Sequence, residues 1–172
     1  MPLPDYNFLS APLWLVTVLH VVTLTLHFLA MNFLLGGLIV LLAGRIESRW
    51  EDPTVRKFLK LFPSVMAAAV TLGVAPLLFL QLVYYQQAYS ASIVSGWFWI
   101  LIIDVAIVAY YLLYGASLGR RARGLLLSLA LLGLVYVSFV YSTVFSMAER
   151  PEMYQRLYAA CQSGLTINDQ PG

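Results

Sequence analysis

The sequence predicts an all-α integral membrane protein, a bundle of four membrane-crossing helices followed by a short surface helix. Three observations carry that expectation. Hydrophobic residues fill 61% of the 172 positions and charged residues only 10%, whereas a soluble domain carries about 25% charged residues and no more than about half apolar ones. The mean hydropathy is +0.82. The apolar residues also fall into long runs separated by polar punctuation, and about 20 such residues cross roughly 30 Å of hydrocarbon. These runs are continuous rather than alternating, and isolated strands cannot satisfy their backbone in lipid, so the runs read as helices.

The whole chain, 1–172, reads as one membrane domain. The first span is expected at 13–43, long enough to tilt or project beyond the bilayer, and it stops at Gly44-Arg45. The second is expected at 62–85, opened by Lys60-Leu61-Phe62-Pro63. Pro76 is expected to kink it and open backbone groups to a partner or ligand. The third is expected at 97–118, ended by Gly119-Arg120-Arg121, with Trp97 and Trp99 as interfacial anchors. The fourth is expected at 125–147, ended by Glu149-Arg150-Pro151. Beyond it, Met153, Leu157 and Ala160 share a face and predict a short helix lying on the surface within a tail, 148–172. Short loops make neighbouring spans antiparallel, and an up-down bundle is the simplest packing. Gly36-Gly37, Ala67-Ala68-Ala69, Gly73 and Gly133 mark places for close helix approach.

Charge placement sets the expected orientation. Loops 44–61 and 119–124 hold eight of the ten Lys and Arg residues, which puts both on the cytoplasmic side. Both termini, the 88–96 loop and the tail then lie outside, in the periplasm. The N-terminal MPLPDYNFLS has no basic stretch before an apolar core, so no cleavable signal peptide is expected and the first span directs insertion. No basic stripe in polar surroundings is present for a nucleic acid. The single cysteine, Cys161, excludes an internal disulfide framework and a multi-cysteine metal site, and no CxxCH motif is present for covalent c-type haem.

Few residues can carry chemistry. The only two histidines, His20 and His27, lie seven residues apart in the first span. That is nearly two turns, so they share a face and sit about 10 Å apart along the axis. They cannot both bind one iron atom axially. Each suits a separate haem, or one a haem and the other a quinone, since imidazole is a common iron ligand. The bland alternative is a hydrogen bond to a neighbouring helix. Met31, four residues after His27, is on the same stripe, where plain packing is the commoner role of methionine. Asp104 is the one charge inside the long runs. A carboxylate there must be neutral, paired or wet, so it reads either as a proton carrier or as the partner of a polar group in another subunit. Gln81, Tyr84, Tyr85 and Gln86 gather at the outer end of the second span. Amides and phenols suit a quinone head group or haem propionates, and equally an ordinary membrane interface.

The stretch LHFLAMNFLLGGLIVLLAGRIE resembles the first helix of the large, quinol-oxidising subunit of cytochrome bd oxidases. FLKLFPSVMAAAVTLGVAPLLFLQLVYYQQAYSASIVSGWFWILIID resembles the second and third helices of that subunit, and STVFSMAERPEMY the end of the fourth. The likeness extends over roughly 13–169 and is closer still to membrane b-type cytochromes of that superfamily that work with multihaem c-type cytochromes. By that resemblance His27 matches the haem ligand of the first helix, Asp104 loosely matches a third-helix glutamate, and His20 has no counterpart. The oxidase subunit has further helices with other haem ligands and the quinol loop, and these are not in this sequence. What the resemblance implies is therefore not an oxygen reductase. It implies a b-type haem subunit, not catalytic by itself, of a respiratory complex in the bacterial cytoplasmic membrane. That subunit would exchange electrons between the quinone pool and periplasmic multihaem c-type cytochromes. It would hold one or two haem b groups shared with a second membrane subunit that supplies the missing helices and ligands. Two alternatives stay open: a haem-free structural or anchoring subunit, and a small transporter half using Pro76 and Asp104.

Overall fold

The computed structural model describes residues 11–43, 50, 52–119, 122–160 and 163–167. Among these, the regular structure is entirely helical: α1 (Leu13–Ala43), α2 (Pro53–Val83), α3 (Tyr85–Val94), α4 (Gly96–Ser117), α5 (Arg123–Ala148) and α6 (Pro151–Ala160). Helices α1, α2, α4 and α5 are each long and apolar enough to cross a membrane, and the chain is accordingly a multi-pass membrane protein. The residues 44–49 and 120–121, which hold much of the basic charge behind the expected orientation, lie outside the described residues, as do Cys161 and both ends of the chain.

The helix ends have local causes. α2 starts nine residues before the expected position, because Asp52 caps it: its carboxylate accepts from the Thr54 N–H at 2.8 Å, and Pro53 occupies the first turn, where its missing N–H costs nothing. This early segment is amphipathic. Val55, Phe58, Leu59 and Phe62 turn inward while Arg56, Lys57 and Lys60 remain exposed. α2 then continues through Pro63 and Pro76 to Val83. The chain breaks at Tyr84 and restarts as α3, so part of the expected 88–96 loop is helical. Its inner face is made of Ala88, Ala91 and Val94.

The four long helices form a ring. α1 packs chiefly on α2 and α4 chiefly on α5, while α2–α4 and α1–α5 contacts close the circuit. α1 and α4 therefore occupy opposite corners. One apolar cluster, from Leu34, Leu38 and Leu41 through Leu59, Phe62 and Met66 to Leu113, Leu127 and Leu134, joins all four helices. Gly133 lets α4 and α5 approach: a Cβ there would meet Val105 Cγ1 at 3.2 Å. A second cluster lies at the other end, where Ala91, Val94, Val140, Val144 and Met147 pack with Trp99, Met153 and Leu157 of α4 and α6. The first half of α1 belongs to neither. Val16 is its one fully buried residue, and Val18, Val21, Val22, Leu26, Phe28 and Leu29 are exposed.

Polar contacts fasten both ends. Arg123, 4% exposed, donates through Nε to the Ala116 carbonyl at 3.0 Å and through Nη1 to the Trp50 carbonyl at 3.2 Å, with its guanidinium 5.6 Å from the Trp50 ring. It ties the end of α4 to the start of α5 and to the segment before α2. At the other end the 163–167 segment crosses the α3–α4 corner. The buried Ser95 donates to the Thr166 carbonyl at 2.7 Å, and the Trp97 N–H donates to the Gly164 carbonyl at 3.1 Å. Gly164 has a φ of +71° and passes close to the Ile93 and Gly96 backbone, a conformation that favours glycine.

Candidate functional site: a histidine pair on the α1–α2 seam

The seven-residue spacing in α1 is answered by the same spacing in α2. The His20 Nδ1 lies 3.1 Å from the Pro76 carbonyl oxygen, and the His27 Nδ1 lies 2.8 Å from the Ala69 carbonyl oxygen. Antiparallel helices produce this register naturally: advancing two turns along α1 retreats two turns along α2. The threonines of this half of α1 are turned to their own helix. Thr17, Thr23 and Thr25 bond to carbonyls a turn earlier, which leaves the imidazoles as the side chains that reach across.

A carbonyl oxygen only accepts, so each Nδ1 must carry the proton of its hydrogen bond. In the neutral ring the lone pair then belongs to Nε2. No hydrogen bond to either Nε2 occurs among the described residues. An imidazole fixed through Nδ1–H to a carbonyl, with a free Nε2 lone pair, is the arrangement that metal-ligating histidines adopt. Both rings are half-buried, covered by α2 on one side and bordered by exposed apolar residues of α1.

Gly73 makes room for one of them. A Cβ at that position would sit 2.7 Å from the His27 Cε1 and 2.8 Å from its Nδ1. Gly73, expected as a place of close helix approach, proves to face a histidine, and the Ala69 carbonyl beside it carries no mark in the sequence that sets it apart as an acceptor. Pro76 leaves one helical carbonyl of α2 without its donor. The carbonyl that loses its helical donor to the proline ring is that of Leu72, four residues earlier, whereas the histidine bonds fall on the carbonyls of Ala69 and of Pro76 itself.

The remaining expected residues are dispersed. Met31 lies one turn beyond His27 and packs against the four-helix cluster. Gln81 is half-buried near the end of α2, while Tyr84, Tyr85 and Gln86 are exposed around the α2–α3 break, where Gln86 donates to the Tyr85 hydroxyl at 3.0 Å. Along the helix axis Gln81 stands about 8 Å beyond the Pro76 carbonyl that binds His20. Asp104 is exposed on α4, the corner opposite α1, and is not brought to the histidines. Among the described residues no group of three or more His, Cys, Asp or Glu is placed to hold a metal ion. The described residues therefore offer one imidazole, not a full ligand set, at each histidine.

Comparison of the chain with protein-family models, with curated proteins and with solved structures finds no match.

Proposed function

We propose that this chain is a b-type haem subunit of an electron-transfer complex in the bacterial cytoplasmic membrane, working between the quinone pool and periplasmic multihaem c-type cytochromes. The observation that carries the reading is the pair of Nδ1–H···O=C bonds, which orient both imidazoles and leave Nε2 as the ring atom open to a ligand. Haem bound there would supply one-electron chemistry. The protein's part is to orient the ligands: the Ala69 and Pro76 carbonyls fix tautomer and ring direction, and Gly73 admits the His27 ring. Further ligands, and cover over the exposed half of α1, would come from a second membrane subunit. Gln81, Tyr84, Tyr85 and Gln86 offer amide and phenol groups to a propionate or a quinone head group at that end, while Met31, one turn beyond His27, packs into the apolar cluster.

The test is optical. The dithionite-reduced minus oxidised spectrum of the purified complex is expected to show a b-type α-band. His27→Ala is expected to remove at least part of it, and His20→Ala with His27→Ala all of the signal this chain supports. Absence of any α-band, or its survival in the double variant, rejects the reading. The same two hydrogen bonds also suit a haem-free anchor, in which they would simply pin α1 to α2. In that case the double variant would loosen the bundle with no optical change.

A further inference from the structure

Asp104 is placed where a carboxylate is hardest to keep. α4 spans Gly96–Ser117, 22 residues, and Asp104 lies within about 4 Å of the helix midpoint along the axis. It is exposed, and no hydrogen bond or ion pair to it occurs among the described residues. Its neighbours at helical spacing are also exposed: Trp97, Ile100, Ile107, Val108 and Tyr111, the last 67% so. An acidic group on a lipid-facing stripe near the membrane centre is costly, and such groups face the interior of an assembly and pair there.

We propose that this face of α4 docks a transmembrane helix of a different subunit, one that carries a Lys or Arg near mid-membrane to pair with Asp104. Charge complementarity selects that occupant. A second copy of this chain fits poorly, because none of its described Lys and Arg residues lies mid-span: Arg56, Lys57 and Lys60 fall in the first quarter of α2, Arg123 opens α5, Arg150 follows it, and Arg156 is on the short α6. A two-fold pairing centred on Asp104 would oppose carboxylate to carboxylate. The surface is separate from the histidine seam, since α1 and α4 stand at opposite corners of the ring. The inference therefore does not rest on haem.

The experiment uses the full chain in its native membranes, with a photo-crosslinking amino acid at Ile100 or at Ile107, one turn to either side of Asp104. The expected product is a cross-link to an apolar spanning segment of another protein, with Lys or Arg within a turn of the cross-linked depth. Asp104→Leu is expected to lower its yield at least tenfold. Asp104→Lys is expected to abolish it, and the reciprocal Lys→Asp or Arg→Asp change in the partner to restore it. Leucine at an exposed mid-span site leaves insertion intact, and helix content by circular dichroism checks this. Cross-linking to another copy of this chain, to lipid alone, or to a helix with no basic residue overturns the proposal. So does a yield that Asp104→Leu leaves unchanged, or a charge swap that fails to rescue. The reduced minus oxidised spectrum, read on the same samples, separates failure here from failure of the haem reading.

Discussion

Gly73 and His27 compete for the same space, so the smallest possible substitution tests the seam. In Gly73→Ala the new Cβ overlaps the imidazole, and either the ring leaves the Ala69 carbonyl or the helices separate. Losing the hydrogen bond costs about 1 kcal/mol and overpacking about 1–3 kcal/mol. Thermal unfolding in detergent is expected to fall accordingly, and any haem signal that depends on His27 to weaken or shift. Arg123 is the second sensitive position. Arg123→Met removes the donor from the Ala116 and Trp50 carbonyls, and charged hydrogen bonds of this kind contribute about 1.5–3 kcal/mol. A matching loss of stability is expected, whereas Lys57→Met, at an exposed site, should change little. The two histidines could be found from spacing alone, because a seven-residue interval within a helical run fixes a shared face. Their acceptors could not, since every residue has a carbonyl and only the α1–α2 register selects Ala69 and Pro76. Arg123 reads as one more loop cation for the same reason: its acceptors are backbone carbonyls, of Ala116 seven residues back and of Trp50 far earlier in the chain.

At the scale of the element, long apolar runs are read well and their ends less well. Four runs correspond to four long apolar helices, because burying a backbone in lipid leaves a helix little alternative. The start of α2 was hidden by its charges. Arg56, Lys57 and Lys60 look like a loop when counted, yet they occupy one exposed face of a helix whose other face is apolar. The signal was nevertheless present in Asp52-Pro53-Thr54, a cap followed by a first-turn proline. Asp52→Ala is expected to fray this first turn at a cost of about 1 kcal/mol, and Asp52→Asn to preserve it. Amide hydrogen exchange at Val55 and Arg56 distinguishes the two. α3 escaped for the opposite reason. Its Tyr, Gln and Ser residues are too polar for a span, and its inward face needs only alanine and valine to lie against α5.

The whole molecule is unevenly held. The four-helix cluster around Leu34, Leu38 and Phe62 joins every long helix at one end, while the histidine half of α1 rests on α2 with most of its apolar surface open. In a bilayer that surface costs nothing by itself, since lipid tails solvate leucine as well as protein does, and association depends on packing and polar contacts. Exposure there has a testable meaning all the same. Leu38→Ala opens a cavity among four helices and is expected to lower stability by about 2–5 kcal/mol in any preparation. Leu29→Ala, at a residue 63% exposed, is expected to be neutral in the isolated chain. If a partner subunit covers α1, the same substitution will weaken the assembled complex while leaving the chain alone unaffected. Thermal unfolding of chain and complex side by side reads both. Equal insensitivity in both preparations would mean that lipid, not a subunit, faces the histidine half of α1, and that the two imidazoles must find any second ligand elsewhere.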